Sequence, residues 1–122
     1  MTERITAVQP VEFLAGTNIH SSALEKSHVI SAVACRVRSI KTLNNTVGSL
    51  WLHVFDLAAL PANGTAPSRC PVAVGAGSVA STTWEGTTSF ATGCVAALSS
   101  TLATLTLVAT ADAWFDAEVV TG

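Results

Sequence analysis

The residue types that most often do chemistry in proteins are few in this chain, and their spacing keeps them apart. Asp112 and Asp116 lie on one face of a predicted strand, roughly 13 Å apart at a rise of about 3.3 Å per residue. Glycosidase carboxylates lie about 5–10 Å apart, so this pair does not fit acid–base cleavage of a sugar. His20, His28 and His53 follow no metal-binding spacing and are more simply core or surface histidines.

No G-x-S-x-G nucleophile elbow is present. One glycine pattern, Gly75-Ala-Gly77-Ser-Val-Ala80, does match the G-x-G-x-x-A of a dinucleotide loop. That loop requires a helix directly after it and an acidic residue about 20 positions further on. The segment that follows, Ser81-Thr-Thr-Trp-Glu-Gly86, opens no helix, so a turn or bulge is the better interpretation. We therefore predict that the protein is not an enzyme and has no catalytic residue, metal or cofactor.

Tryptophan side chains point to an interface instead. Trp114 lies on the polar face of the last predicted strand, and Trp84 lies in a predicted turn rich in Thr and Gly. Exposed Trp is enriched at binding hot spots, although either ring could instead fold back over a sheet edge. The predicted interface residues are Val11, Phe13, Leu14, Trp51, Trp84 and Trp114.

The elements that would position these side chains are short apolar runs separated by turn residues, a pattern typical of an all-β sandwich or barrel. The last strand alternates most clearly, with Phe115 facing the core in the same row as Ala113, Ala117 and Val119. The run at 49–56 is apolar on both faces, which predicts a central strand covered on both sides. Further strands are predicted at 28–34, 35–43, 72–80, 90–98 and 102–109. We expect one sandwich domain over 27–122, preceded by an extended N-terminal arm over 1–26.

Charge is scarce along the chain. Charged residues make up 11% of the 122, where a soluble domain typically has about 25%. Because interface cores are depleted in charge, this composition favours burial of the surface in an assembly over a merely neutral Ser/Thr surface. Six basic residues and a net charge of −2 argue against nucleic acid, which is bound through clustered Lys and Arg.

The charge-free run between Glu85 and Asp112 contains ten Ser and Thr residues, so it predicts neutral strands and not a membrane helix. The N-terminus has no apolar signal core, which argues against export by that route. Cys35, Cys70 and Cys94 are odd in number and widely spaced, so we expect free thiols.

Several stretches resemble a group of small virion proteins from tailed bacteriophages, and together they span about residues 27–118. They are Ser27-His-Val-Ile-Ser-Ala-Val-Ala34; Leu50-Trp-Leu-His-Val-Phe-Asp56 with Leu60-Pro-Ala-Asn-Gly64 and Pro67; and Phe90-Ala-Thr-Gly93 with Ala97-Leu-Ser-Ser-Thr101, Ala103-Thr104 and Asp112-Ala-Trp-Phe-Asp-Ala117. The resemblance implies a virion component with a jelly-roll-like antiparallel β-sandwich.

Among virion components, the leading hypothesis is a capsid decoration (cement) protein. Such a protein would bind the major capsid protein of the same virion as a homo-oligomer, with a trimer favoured. It would be made in the cytoplasm of the host bacterium and lie on the capsid surface, with the arm against the shell or a neighbouring subunit. The alternatives are a host-recognition or carbohydrate-binding module of a head fibre or tail, using Trp84, Trp114 and the Ser/Thr loops, and a neck or tail component.

Overall fold

The structure is a computed structural model that describes residues 16–120, which form eight β-strands and no helix. The strands are β1 Gly16–His20, β2 Ser27–Ser31, β3 Cys35–Asn44, β4 Leu50–Phe55, β5 Val72–Val74, β6 Val79–Phe90, β7 Cys94–Ser99 and β8 Ala113–Val120. A helix of the length and apolarity needed to cross a membrane is accordingly absent from residues 16–120.

The strands form two antiparallel sheets of four that pack face to face. The first sheet has the order β1-β8-β3-β6, and the second has the order β2-β7-β4-β5. The pairing is nested along the chain, because β1 pairs with β8, β2 with β7, β3 with β6 and β4 with β5. The predicted all-β antiparallel sandwich is confirmed.

The side chains of β8 alternate between buried and half-buried, and the buried row forms part of the main core between the sheets. Phe115 is fully buried and Ala117 is 1% exposed, whereas Trp114, Asp116 and Glu118 on the opposite side are half-buried. Because successive side chains on a strand point to opposite faces, this pattern follows from the pleat. The strand facing predicted for the C-terminal run is therefore confirmed. The fully or nearly fully buried partners of Phe115 in this core include Val37, Ile40, Leu52, Val54, Val74, Phe90 and Leu98.

A second, smaller core lies on the outer face of the second sheet, beneath two loops of the same chain. Its buried members are Phe55, Val95, Ala97 and Leu105. The predicted strand at 102–109 is wrong, since this segment is a covering loop whose one β-bridge to β7 joins Leu107 to Ser99. Ser99 Oγ accepts from Thr106 N at 3.0 Å and donates to Thr101 O at 2.8 Å. Such local side-chain bonds compete with a strand ladder.

The boundary predicted between arm and sandwich is also corrected. Residues 16–20 form β1, which pairs with β8 from Gly16 opposite Val120 to His20 opposite Asp116. Ser21 is fully buried, and its N–H donates to Phe115 O at 2.8 Å. Residues 16–20 therefore belong to the first sheet, and the expectation that the segment up to residue 26 contacts a shell or a neighbour stays a prediction. Residues 1–15 lie outside the described residues.

The glycine pattern near residue 75 forms the tight turn between β5 and β6, with Ser78 N donating to Gly75 O at 3.1 Å. Gly77 has φ +66°, a conformation that glycine adopts without steric cost. The turn predicted near Trp84 is instead a bulge inside β6. There residues 84–87 lie opposite Arg38 alone, because Thr83 pairs with Ser39 and Thr88 pairs with Val37.

Candidate functional site

The outer face of the first sheet carries a polar depression of about 290 Å³. Residues paired across β1, β8 and β3 point to the same side, so the register brings these side chains together. The lining residues are Gly16, Asn18, Ser39, Lys41, Asp116 and Glu118. The depression therefore combines a cation, two carboxylates, an amide and a hydroxyl within one patch.

Two internal contacts organise this depression. Asn18 Nδ2 donates to Asp116 Oδ1, and Arg38 Nη1 donates to Glu118 Oε2 at 2.7 Å. Both pairs are partly solvated, so each contributes at most about 1 kcal/mol to stability. They hold the carboxylates in place and leave further lone pairs available to a hydroxyl-rich ligand.

Trp114 lies at the edge of this patch, on the outer side of β8. Its ring stacks on His20 with centroids 6.0 Å apart and planes 14° from parallel. An aromatic surface beside fixed hydrogen-bonding groups is suited to a ligand with one apolar face and several hydroxyls.

The structure does not bring the three predicted tryptophans together. Trp51 lies on the outer face of the second sheet, where β4 pairs it with Ser99 and Ala73. Trp84 folds back against the edge of the core, with its ring 6.2 Å from that of Phe90 in an edge-to-face arrangement. The predicted interface residues Val11, Phe13 and Leu14 lie outside the described residues. A single platform made by Trp84 and Trp114 is therefore not formed.

An apolar cleft of about 460 Å³ lies at one end of the sandwich. Its lining residues are Ser31, Val33, Ala34, Cys35, Arg36, Val119 and Val120. Val33, in the connection between β2 and β3, is 69% exposed at this end. No motif in the sequence marks this cleft, because its walls come from segments more than 80 residues apart in the chain.

A carboxylate at the end of β4 holds the corner where β6 turns into β7. Asp56 accepts backbone N–H bonds from Ala91 at 3.1 Å, Thr92 at 2.8 Å and Gly93 at 3.4 Å. These bonds hold the pKa of Asp56 below its ordinary value, mainly through Thr92 and Ala91.

Gly93 completes this corner by allowing backbones to approach closely. A Cβ there would lie 2.6 Å from the carbonyl oxygens of Leu57 and Ser31, so no other residue fits without movement. Arg69 lies over the Phe90 ring at 4.4 Å and donates to Ser89 O at 2.7 Å. Asp56 and the segment at 90–93 thus meet here to build the fold.

The remaining reactive side chains are dispersed. Residues 16–120 contain no group of three or more His, Cys, Asp and Glu side chains placed to bind a metal. Cys35, Cys70 and Cys94 are free thiols. Burial raises the pKa of Cys94 to about 12, which makes it a packing residue and not a nucleophile.

The chain matches no protein-family model, no curated protein and no solved structure.

Proposed function

We propose that this chain is a bacteriophage virion structural protein, most specifically a capsid decoration (cement) protein. The observation that carries the proposal is the nested pairing of β1 with β8, β2 with β7, β3 with β6 and β4 with β5. This pairing supports a jelly roll of eight strands in two sheets, an architecture used by viral capsid and lectin domains. The partner would be the major capsid protein of the same virion, and the location would be the capsid surface.

The surface of the sandwich supports association between copies of the chain. Strand β6 is the 12-residue edge of the first sheet, and Glu85 is its one charged residue. Edge strands present unpaired backbone groups to other chains, and natural monomers usually protect them with charge. Arg69 covers only the end of β6 near Ser89, while Val79 at the other end is 62% exposed. A homo-oligomer, with a trimer favoured, would cover this edge.

A second candidate is a host-recognition module that binds carbohydrate. The stacked Trp114 and His20 rings beside the polar depression favour it, because sugars present an apolar face and a ring of hydroxyls. The same architecture occurs in lectins. A neck or tail component is a third assignment within the virion.

Binding to purified heads tests the leading proposal. Full-length protein is added to expanded heads of the phage whose genome carries the gene, prepared without this protein. We expect saturable binding and a higher temperature of head disruption, because a ligand that binds only the intact lattice stabilises it by mass action. Failure to bind the heads, together with absence of the protein from purified particles, would reject the proposal.

Trp114→Ala separates the two candidate functions in the same experiment. If the protein is a cement whose Trp114 face points to solvent, the variant should bind heads as well as the natural chain does. If the protein binds carbohydrate, the natural chain should bind host glycans in isolation, and the variant should lose that binding. A Val47→Ala variant, altered at a fully exposed turn residue on another part of the sandwich, is the matched control.

A further inference from the structure

The outer face of the first sheet carries its side chains in rows that run across the strands. One row is apolar, because β3 pairs Leu43 with Trp114 of β8 on one side and with Val79 of β6 on the other. The next row is polar, with Lys41 of β3 opposite Asp116 of β8. Paired residues share a face, and so do residues two apart on one strand. The register therefore places an apolar row directly beside a charged one.

The aromatic part of this patch is held in place by the core. His20 Nδ1 lies 2.7 Å from Ser21 O, and since a carbonyl oxygen only accepts, this nitrogen carries the proton. The imidazole fixed in this way stacks on the Trp114 ring. Ser21 is fully buried, so the anchor of the stack is part of the folded interior. A fixed aromatic surface suits the apolar face of a sugar ring, because little side-chain freedom is lost on binding.

The two carboxylates of the polar depression already have donors. Asn18 Nδ2 donates to Asp116 Oδ1, and Arg38 Nη1 forms an ion pair with Glu118 Oε2 at 2.7 Å. Gly16 makes room for that pair, because a Cβ at this position would collide with the Glu118 carboxylate. The carboxylates keep lone pairs for ligand hydroxyls, while the charge of Glu118 is compensated by Arg38.

Lys41 is the cation of the depression that lacks such a partner. Its side chain is exposed, and within residues 16–120 its ammonium group forms no ion pair or hydrogen bond. Asp116, opposite on β8, accepts from Asn18 instead. Lys41 and Trp114 are diagonal neighbours, about 7–8 Å apart at the backbone, a separation that long side chains span. The uncommitted charge beside the aromatic platform is therefore positive.

We propose that this patch binds an anionic saccharide, a sugar whose ring carries a carboxylate. The ring lies on Trp114, the carboxylate meets Lys41 Nζ, and hydroxyls donate to Asp116 and Glu118. A carboxylate accepts a stronger hydrogen bond from an ammonium group than a neutral hydroxyl does. This inference rests on the carbohydrate-binding candidate above and adds the charge class of the sugar.

Matched polysaccharides test the proposal with the full-length protein. Polygalacturonate, polymannuronate and polysialic acid are each compared with the same polymer after reduction of its carboxyl groups to primary alcohols, which removes the charge and keeps the ring. Biolayer interferometry measures binding to the immobilised polymers. We expect at least one acidic polymer to bind roughly tenfold more tightly than its reduced form, the size of effect typical of a hydrogen bond to a charged group.

Variants assign the preference to named side chains. Lys41→Gln should abolish the preference for the acidic form and keep the binding of the reduced form, whereas Lys41→Arg should retain the preference. Trp114→Ala should weaken binding of both forms. Lys26→Gln, the same change at the other lysine of the chain, is the matched control, since the Lys26 backbone pairs with Leu98 in the second sheet.

Three outcomes would overturn the inference. Equal binding of an acidic polymer and its reduced form, lost in Trp114→Ala, would reject the anionic class and leave the carbohydrate candidate standing. Tighter binding of the acidic form that survives in Lys41→Gln would place the anion elsewhere on the protein. Binding to none of the polymers would reject the inference as well, and the host-glycan measurement with Trp114→Ala then decides the carbohydrate candidate independently.

Discussion

Asp56 shows how much of the fold one carboxylate organises. It ends β4 and binds the backbone of residues 91–93, which joins the second sheet to the corner that leads from β6 into β7. Hydrogen bonds to an ionised acceptor are stronger than neutral ones. Conservation of such an Asp among similar proteins would therefore reflect architecture, and it would not by itself mark a binding site.

We predict that Asp56→Asn destabilises the protein at neutral pH and makes its stability less dependent on pH in the acid range. Since the folded pKa of Asp56 is lowered, its contribution to stability is fully present above the unfolded value of about 3.9 and is lost as pH falls through the folded pKa. The Tm difference between the natural chain and the variant should be largest at pH 7 and should shrink as the pH falls below about 3.9. Glu85→Gln, an exposed charge change on β6, is the control, and an equal effect in both variants would contradict the assignment.

Phe115 is the side chain of β8 on which the main core depends most. It is fully buried, and Phe115→Ala should cost roughly 3–5 kcal/mol of unfolding free energy because it leaves a cavity between the sheets. Urea unfolding measures this cost. Trp114→Ala, one residue away on the outer face, should cost clearly less; a reversed order would mean that the strand faces the other way.

At the scale of elements, β4 is covered twice, as its sequence predicts, but both covers come from the same chain. Leu52 and Val54 face the first sheet, and Phe55 packs beneath the loops on the other side. His53 is fully buried on that loop-covered side, and both its ring nitrogens are without a hydrogen bond within the described part of the chain. The covering loop therefore packs over an imidazole that is more stable in its neutral form, because burial disfavours the charged form.

We predict that His53 makes the covering loop sensitive to mild acid. Burial lowers the pKa of His53, an effect that the nearby backbone of Leu102 and Thr101 partly offsets. The unfolded chain then takes up the proton first, near its ordinary value of about 6.5. Stability that depends on neutral His53 is fully present above that pH and is lost as pH falls toward the folded pKa.

The measurement is Tm between pH 7 and pH 5 for the natural chain and for His53→Met. The natural chain should lose stability over this range, and the variant should lose less because Met fills similar space without titrating. Trp51→Phe, on the same strand, should keep the natural pH slope. An unchanged slope in His53→Met would show that the ring is protonated without cost.

At the scale of the whole molecule, charge is scarce along the sequence, and the edge strand β6 carries a single charged residue, Glu85. We predict a homo-oligomer in solution, with light scattering giving a mass three times that of the chain. Val79→Lys should weaken association, because it places a charge on the exposed end of β6. Val47→Lys makes the same change at another exposed valine and should leave the mass unchanged. A monomer at all concentrations would contradict the prediction.

The sequence by itself determined the class of fold and the facing of its clearest strands. β3, β4 and β8 lie where alternating or doubly apolar runs predict them, and the Gly75–Ser78 segment turns as its glycines indicate. These features are local consequences of backbone geometry, since the pleat fixes a period of two and glycine permits positive φ. Residues close together in the sequence are enough to decide them.

Only the tertiary structure decided which segments meet. β1 has no apolar pattern of its own and becomes a strand because β8, about 100 residues later, offers it an edge. The loop at 100–109 covers the second sheet because Phe55 and Val95 need burial there. The polar depression, the apolar cleft and the separation of the three tryptophans likewise arise from pairing between distant strands. Such contacts depend on the free energy of all the strands packed together. The hydrophobic periodicity of a single segment carries no information about that free energy.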